Sequence, residues 1–104
     1  MALFMQNLKT DFQLSIIAKI TNLRQNHHLT QIQMAEILDL SSAGQIGNIE
    51  SPKYSHKYTL EQIYKISKYL GYPIEKIFLS ESELENSISH VVDILFIKLI
   101  DYEK

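Results

Sequence analysis

The sequence predicts an all-α fold, because apolar residues recur at helical spacing and no segment alternates as a strand would. Apolar side chains return every three or four positions in several stretches. Two short helical patterns within residues 29–50 are separated only by residues 39–41, which leaves room for a tight turn. With 104 residues and 45% hydrophobic content, the chain has the length for one domain with one core.

The first predicted helix begins after Thr10, a suitable N-cap, and runs to about Asn26. Its apolar residues fall three or four positions apart, which places them on one face. These residues are Phe12, Ile16, Ile20 and Leu23. We expect this face to pack against the helices that follow.

The next two predicted helices form a close pair. Thr30 has the N-cap position of the first and Gln33 follows three residues later, which is capping-box spacing. Its expected buried face consists of Ile32, Met34, Ala35, Ile37 and Leu38. Ser42 begins the second helix, with Ile46 and Ile49 inside and polar or small residues outside. Such a pair is a helix-turn-helix, whose second helix can enter a DNA major groove, although an ordinary helical hairpin has the same periodicity.

The second half of the chain predicts three more helices. Thr59 begins the fourth, with Gln62 at capping-box spacing, and Gly71 ends it. Pro73 has the position of a first-turn proline in a short fifth helix. Residues 82–102 predict one long sixth helix of about 31 Å, at 1.5 Å per residue.

The sixth helix is apolar nearly all round, which favours burial on more than one side. In one interpretation it only covers the core of its own chain. In the other, one face packs on that core and another meets a second copy, through Ile88, Val91, Leu95, Phe96 and Leu99. The N-terminal residues Leu3, Phe4, Met5 and Leu8 either join this interface or fray.

Composition and charge narrow the class of protein. The net charge is −2, but residues 1–80 carry eight basic and six acidic residues, whereas residues 81–104 carry two and six. The acidic charge therefore lies in the tail. No cysteine is present for a disulfide or a thiolate metal site, and neither a secretory signal nor a membrane-spanning stretch is evident. We expect a cytoplasmic protein that does not act at a membrane.

No group of residues resembles a catalytic or cofactor site. His27 and His28 are adjacent and so diverge in direction, while His56 and His90 lie far away in sequence without a carboxylate at ligand spacing. No nucleophile with a base, glycine-rich phosphate loop or carboxylate pair is recognisable. We therefore expect no enzyme activity, no metal and no cofactor.

Residues 15–80 resemble the Cro and phage-repressor (XRE-type) family of helix-turn-helix regulators. The similar segments, in order, are Ile20 with Leu23-Arg24, Leu29-Thr30-Gln31, Met34-Ala35-Glu36 with Leu38, Ile46-Gly47-Asn48-Ile49-Glu50, Leu60, Ile63, Ile66, and residues 69–78. The resemblance implies a five-helix lambda-repressor-like DNA-binding domain over residues 15–80. Residues 1–14 would then be an N-terminal extension, and residues 81–104 an added C-terminal helix, whose two apolar faces make it the candidate dimerisation element.

The resemblance also implies which residues contact DNA. The base-reading positions correspond to Ser42, Ala43, Gly44, Gln45, Gly47 and Asn48. The phosphate-contacting positions correspond to Thr30, Gln31, Lys53, Tyr54, Ser55 and Lys57. Gln45 and Asn48 are the best candidates for direct reading, because amide side chains pair with adenine. In the family, the position of Gln31 also braces the recognition helix.

Three further expectations follow from the resemblance to the family, and a fourth follows from two glycines within a short helix. Arg24 and Glu50 should form a partly buried structural ion pair. His28 and Asp39 stand where glycine is usual, so His28 should adopt a left-handed conformation. One additional residue between the paired helices is placed in the turn at residues 39–41; inside the helix instead, it would turn Gln45 towards phosphate only. Gly44 and Gly47 allow close approach of DNA or of a partner, or else indicate a degraded recognition surface.

The function we expect is sequence-specific DNA binding by a transcriptional regulator, as a repressor that binds a pseudo-palindromic operator as a homodimer. The partners would be double-stranded DNA and a second copy of the chain. Two alternatives remain open. The chain could be the antitoxin of a toxin–antitoxin pair, with the tail helix holding the toxin, or a protein-interaction adaptor that keeps the fold without binding DNA.

Overall fold

A computed structural model describes residues 8–104, and the chain is all-α over this range, as predicted. The helices are α1 Asp11–Asn26, α2 Gln31–Ile37, α3 Ala43–Glu50, α4 Leu60–Leu70, α5 Ile74–Phe78, α6 Glu81–Leu84 and α7 Ile88–Tyr102. No helix in the described part is long and apolar enough to cross a membrane. The expectation for Leu3, Phe4 and Met5 lies outside the described residues.

The helices belong to two compact units, and the first, which ends at Tyr58, contains α1, α2 and α3. α3 contacts both of the other helices in this unit. The buried apolar residues here are Ile16, Ile17, Ile20, Met34, Ala35, Leu38, Ile46, Ile49 and Tyr58. The prediction that Ile32 is buried was wrong, since this side chain is 62% exposed. Position 32 is two residues before Met34, so it points away from the buried face of α2.

The ends of α1 and α2 follow from local sequence. The Thr10 and Thr30 hydroxyls each accept a hydrogen bond from the backbone N–H three residues on, and glutamine side chains complete two capping boxes, of which the sequence predicted the one at Thr30. Both helices end in a residue with positive φ, His28 and Asp39, each at 56°. The Leu29 N–H donates to the Arg24 carbonyl at 3.0 Å, as in a Schellman motif. The left-handed conformation expected at His28 is present.

The second unit, Thr59–Lys104, contains α4 to α7. Thr59 caps α4 through a capping box with Gln62, and Gly71 ends it at φ 63°, as the sequence predicts. α5 contacts each of the other three helices of the unit, and α6 also contacts α7. Phe78 and Tyr102 are buried and meet edge to face, with ring centroids 5.9 Å apart. This contact packs the last turn of α7 against the end of α5.

The prediction of a single long helix over residues 82–102 was wrong, because the helix is interrupted between α6 and α7. Ser80 begins α6 with a capping box to Glu83, and the Asn86 amide donates back to the Glu83 carbonyl at 2.9 Å. Ser87 then accepts from the His90 N–H and begins α7. Asparagine and serine side chains can hydrogen-bond to backbone groups that would otherwise bond within a helix. Here Asn86 ends α6 in this way and Ser87 begins α7.

Candidate nucleic-acid interface

The ion pair expected between Arg24 and Glu50 is present and joins α1 to the end of α3. Arg24 Nε lies 2.8 Å from Glu50 Oε2, and Nη2 lies 3.0 Å from Oε1, so the contact is bidentate. A third donor, Nη1, binds the Leu29 carbonyl at 2.7 Å. The two side chains are 10% and 11% exposed. Arg24 therefore fixes both the end of α3 and the turn that precedes α2.

Gln31 extends this network to the start of α2. Its Nε2 atom donates to Glu50 Oε1 at 3.0 Å, so one carboxylate receives hydrogen bonds from residues that belong to α1 and α2. The bracing of α3 expected of Gln31 is thus present. Because Gln31 is half-buried, part of its surface stays open to an outside group. We call Arg24, Gln31 and Glu50 the brace.

α3 has a buried inner face and an open outer face. Ile46 and Ile49 are buried, as predicted. All the predicted base-reading residues are exposed or half-buried: Ser42, Gly44 and Gln45 are exposed, and Ala43, Gly47 and Asn48 are half-buried. Residues 43–50 form one uninterrupted α-helix, and residues 38–42 separate it from α2.

The two glycines of α3 are not required by internal packing. A Cβ atom at Gly44 would find its nearest neighbour, Ser42 Oγ, at 3.5 Å, and one at Gly47 would find Gln31 Oε1 at 3.7 Å. Both distances are ordinary van der Waals contacts. Alanine would therefore fit at either position and is the better helix former. Packing among residues 8–104 therefore gives no reason for glycine at these two positions.

The start of α3 differs from the starts of α1 and α2. Ser42 has the predicted N-cap position with extended backbone, but its side chain makes no capping hydrogen bond. The first turn of α3 contains no acidic residue, and neither does that of α2, whereas α1 has Asp11 there. At α2, by contrast, the Thr30 hydroxyl already accepts from the Gln33 N–H at 3.1 Å.

The loop that follows α3 is open over most of its length. The predicted phosphate-contacting residues Lys53, Tyr54 and Ser55 are exposed, and Lys57 is half-buried. The rings of Tyr54 and His56 meet edge to face, with centroids 6.0 Å apart. Tyr58, in contrast, is completely buried and anchors the end of the loop. All the residues assigned to DNA lie in the first unit.

Lys9 is the residue of this region that the sequence did not reveal. It is only 2% exposed, and its Nζ donates to the carbonyls of Ile49 at 2.5 Å, Ser51 at 2.7 Å and Asn48 at 3.4 Å. Burial lowers the pKa of this ammonium from its usual value. One signal was available: α3 is followed by Ser51-Pro52 and has no basic residue in its last turn, so its terminal carbonyls needed a donor.

The residues predicted to form a dimer interface divide between two faces of α7. Ile88 and Phe96 are 85% and 62% exposed, whereas Val91, Leu95 and Leu99 are half-buried. The exposed large apolar residues of α7 are Ile88, Val92, Phe96, Ile97 and Ile100, and we call them the outer face of α7. Between α5, α6 and α7 lies an open, largely apolar cavity of about 350 Å³, which Leu84, Ile88 and Leu95 help to line.

Within residues 8–104, no group of three or more histidines and carboxylates lies together in a way that could hold a metal ion. No protein-family model matches the chain, and neither a curated protein nor a solved structure matches it at a significant level.

Proposed function

We propose that the chain is a sequence-specific DNA-binding transcriptional regulator of the Cro and phage-repressor type, which binds a pseudo-palindromic operator as a homodimer and represses transcription. The brace is the observation that carries this proposal. It fixes the start of α2 and the end of α3 to one carboxylate, Glu50, while the outer side of α3 stays open. A recognition helix needs this combination, because base reading depends on a fixed orientation against the groove.

The exposed groups suit the two kinds of DNA contact. Gln45 and Asn48 offer amides that pair with the major-groove edge of adenine, and Ala43 offers a methyl group for thymine. Lys53, Tyr54 and Ser55 offer donors to phosphates, which position the protein without reading sequence. At Gly44 and Gly47, the missing side chains let the backbone of α3 approach the duplex closely.

The test is to select duplexes that the full chain retains from a random pool, and then to compare two variants on the selected and on unrelated duplexes. Asn48→Ala should cost about 1–3 kcal/mol on the selected site and little elsewhere. Lys53→Ala should weaken binding to both and reduce the slope of log affinity against log salt by about 1. A chain that retains no duplex at low salt, or variants that lose affinity equally everywhere, would refute the assignment.

Protein binding is the second candidate, as the antitoxin of a toxin–antitoxin pair or as an adaptor. The outer face of α7 and the cavity beside it favour this candidate, because small monomeric proteins seldom expose contiguous apolar surface. A stable complex between this chain and the product of an adjacent gene, in which Phe96→Asp abolishes binding, would support the antitoxin function. An adaptor would bind a partner in the same way and would retain no duplex in the selection.

A further inference from the structure

The side chain of Lys9 donates to the backbone carbonyls at the end of α3, whereas the ends of α1 and α2 are closed by backbone groups. Those two helices end in left-handed residues, His28 and Asp39, and the following backbone N–H groups satisfy their last carbonyls. α3 instead passes directly into extended backbone at Ser51, with φ −88° and ψ 133°. The Ser51 N–H donates to the Gly47 carbonyl at 3.0 Å, but among the described residues no backbone N–H donates to the carbonyls of residues 48–50.

The ammonium of Lys9 supplies the missing donors. It has three N–H groups, and three carbonyl oxygens lie within hydrogen-bond distance of it: Asn48 and Ile49 in the last turn of α3, and Ser51 just beyond. Its positive charge also lies at the negative end of the helix dipole. A lysine that is 98% buried is rare without such partners, so the contact defines where the side chain must lie.

From this geometry we infer that Lys9 is a positioning residue, which holds the last turn of α3 and the start of the following loop in the arrangement that DNA reading requires. The inference rests on the proposed function. The brace acts on the Glu50 side chain, whereas Lys9 acts on the backbone of residues 48–51, so the two fix different parts of the same helix end. Asn48 is the predicted base-reading residue nearest to this contact. Lys53, a predicted phosphate-contacting residue, lies two positions after Ser51.

The test is hydrogen exchange at individual backbone amides, in the full chain and in Lys9→Met. Methionine keeps the length of the side chain but removes the charge and all three donors. Exchange at the amides of residues 48–51 should become at least tenfold faster, with a much smaller change in α1 and α4, because the opening is local. Equal acceleration in every helix, or none at residues 48–51, would overturn the inference, since Lys9 would then contribute only to overall stability or to nothing measurable.

Binding to DNA provides the second measurement. Lys9→Met should lower the ratio of affinities for a selected duplex and an unrelated duplex at least tenfold. Lys65→Met is the matched control, because it removes the same charge from an exposed position on α4 and should leave that ratio unchanged. An unchanged ratio in Lys9→Met would overturn the positioning role. If the parent chain binds no duplex, the proposed function fails, and the exchange rates alone decide whether Lys9 orders this end of α3.

Lys9→Gln serves if Lys9→Met does not fold. Glutamine keeps two N–H donors on a shorter side chain, and it removes the charge and the third donor. Faster exchange confined to residues 48–51 would support the inference, and equally faster exchange throughout the chain would overturn it.

Discussion

At the level of residues, the buried charge pair of Arg24 and Glu50 holds several polar groups in place. Each group is nearly removed from water, so each depends on the other for its partner. Glu50 also receives Gln31, and Arg24 also binds the Leu29 carbonyl. The loss of one member therefore leaves several polar groups without partners.

Arg24→Ala should lower the free energy of unfolding by about 3 kcal/mol or more, since it strands a buried carboxylate. Replacement of both partners, Arg24→Met with Glu50→Leu, should recover part of this loss. The recovery is incomplete, because Leu29 and Gln31 lose partners even in the double variant. Urea denaturation of the parent and the variants measures the three values. An Arg24→Ala variant as stable as its parent would contradict this account.

The backbone of His28 is left-handed, with φ at 56°, a conformation that destabilises the folded state at any residue that has a Cβ atom. His28→Gly should raise the free energy of unfolding by about 0.5–1 kcal/mol. Glycine relieves the backbone strain, and this gain exceeds the loss that comes from the greater flexibility of glycine in the unfolded chain. Gly71→Ala provides the reverse control. A Cβ at Gly71 meets nothing within 4 Å, so only backbone strain should destabilise that variant. Thermal melting of both tests the signs, and a loss of stability in His28→Gly would refute the argument.

At the level of elements, the sequence predicted most helix starts and ends, but it did not predict the interruption at residues 85–87 or the exposure of Ile32. Thr10, Thr30 and Thr59 each begin a helix because a capping box needs only residues three apart. The contact of Lys9 was not predicted, because its acceptors lie 39–42 positions away along the sequence. The local sequence shows that the end of α3 needs a donor, but it does not show which residue supplies it. The break at residues 85–87 was missed for another reason: apolar periodicity continues across it, while the caps that interrupt the helix are polar.

The glycines of α3 separate the needs of the fold from those of a ligand. Gly44→Ala and Gly47→Ala should each stabilise the chain by about 1 kcal/mol or less, because alanine fits and favours the helix. On the proposed function, the same substitutions should weaken binding to a selected duplex at least tenfold, since the added methyl groups hold α3 away from it. Denaturation and binding titration measure the two effects. Variants that gain stability and keep full affinity would show that close approach is not needed.

For the molecule as a whole, the proposed function requires a second copy, because of the distribution of charge. Residues 1–80 carry an excess of only two basic residues, so one copy offers few phosphate contacts. An operator with half-sites about 34 Å apart rewards two copies held together. Removal of the tail is a poor test of this, because Tyr102 is completely buried against Phe78 and its loss would open the second unit. Single substitutions on the outer face of α7 avoid that damage.

Phe96→Asp should convert a dimer into a monomer and weaken operator binding far more than binding to a single half-site. Phe96 is 62% exposed, so the substitution spares the interior while it places a charge in the apolar outer face. Tyr69→Asp is the matched control, because Tyr69 is 64% exposed but lies on α4. Leu95→Asp is less informative, since Leu95 is half-buried and its loss would damage the second unit itself. Sedimentation at micromolar concentration decides the matter: a parent chain that sediments as a monomer, or a Phe96→Asp variant that remains a dimer, would exclude the outer face of α7 as the dimer interface.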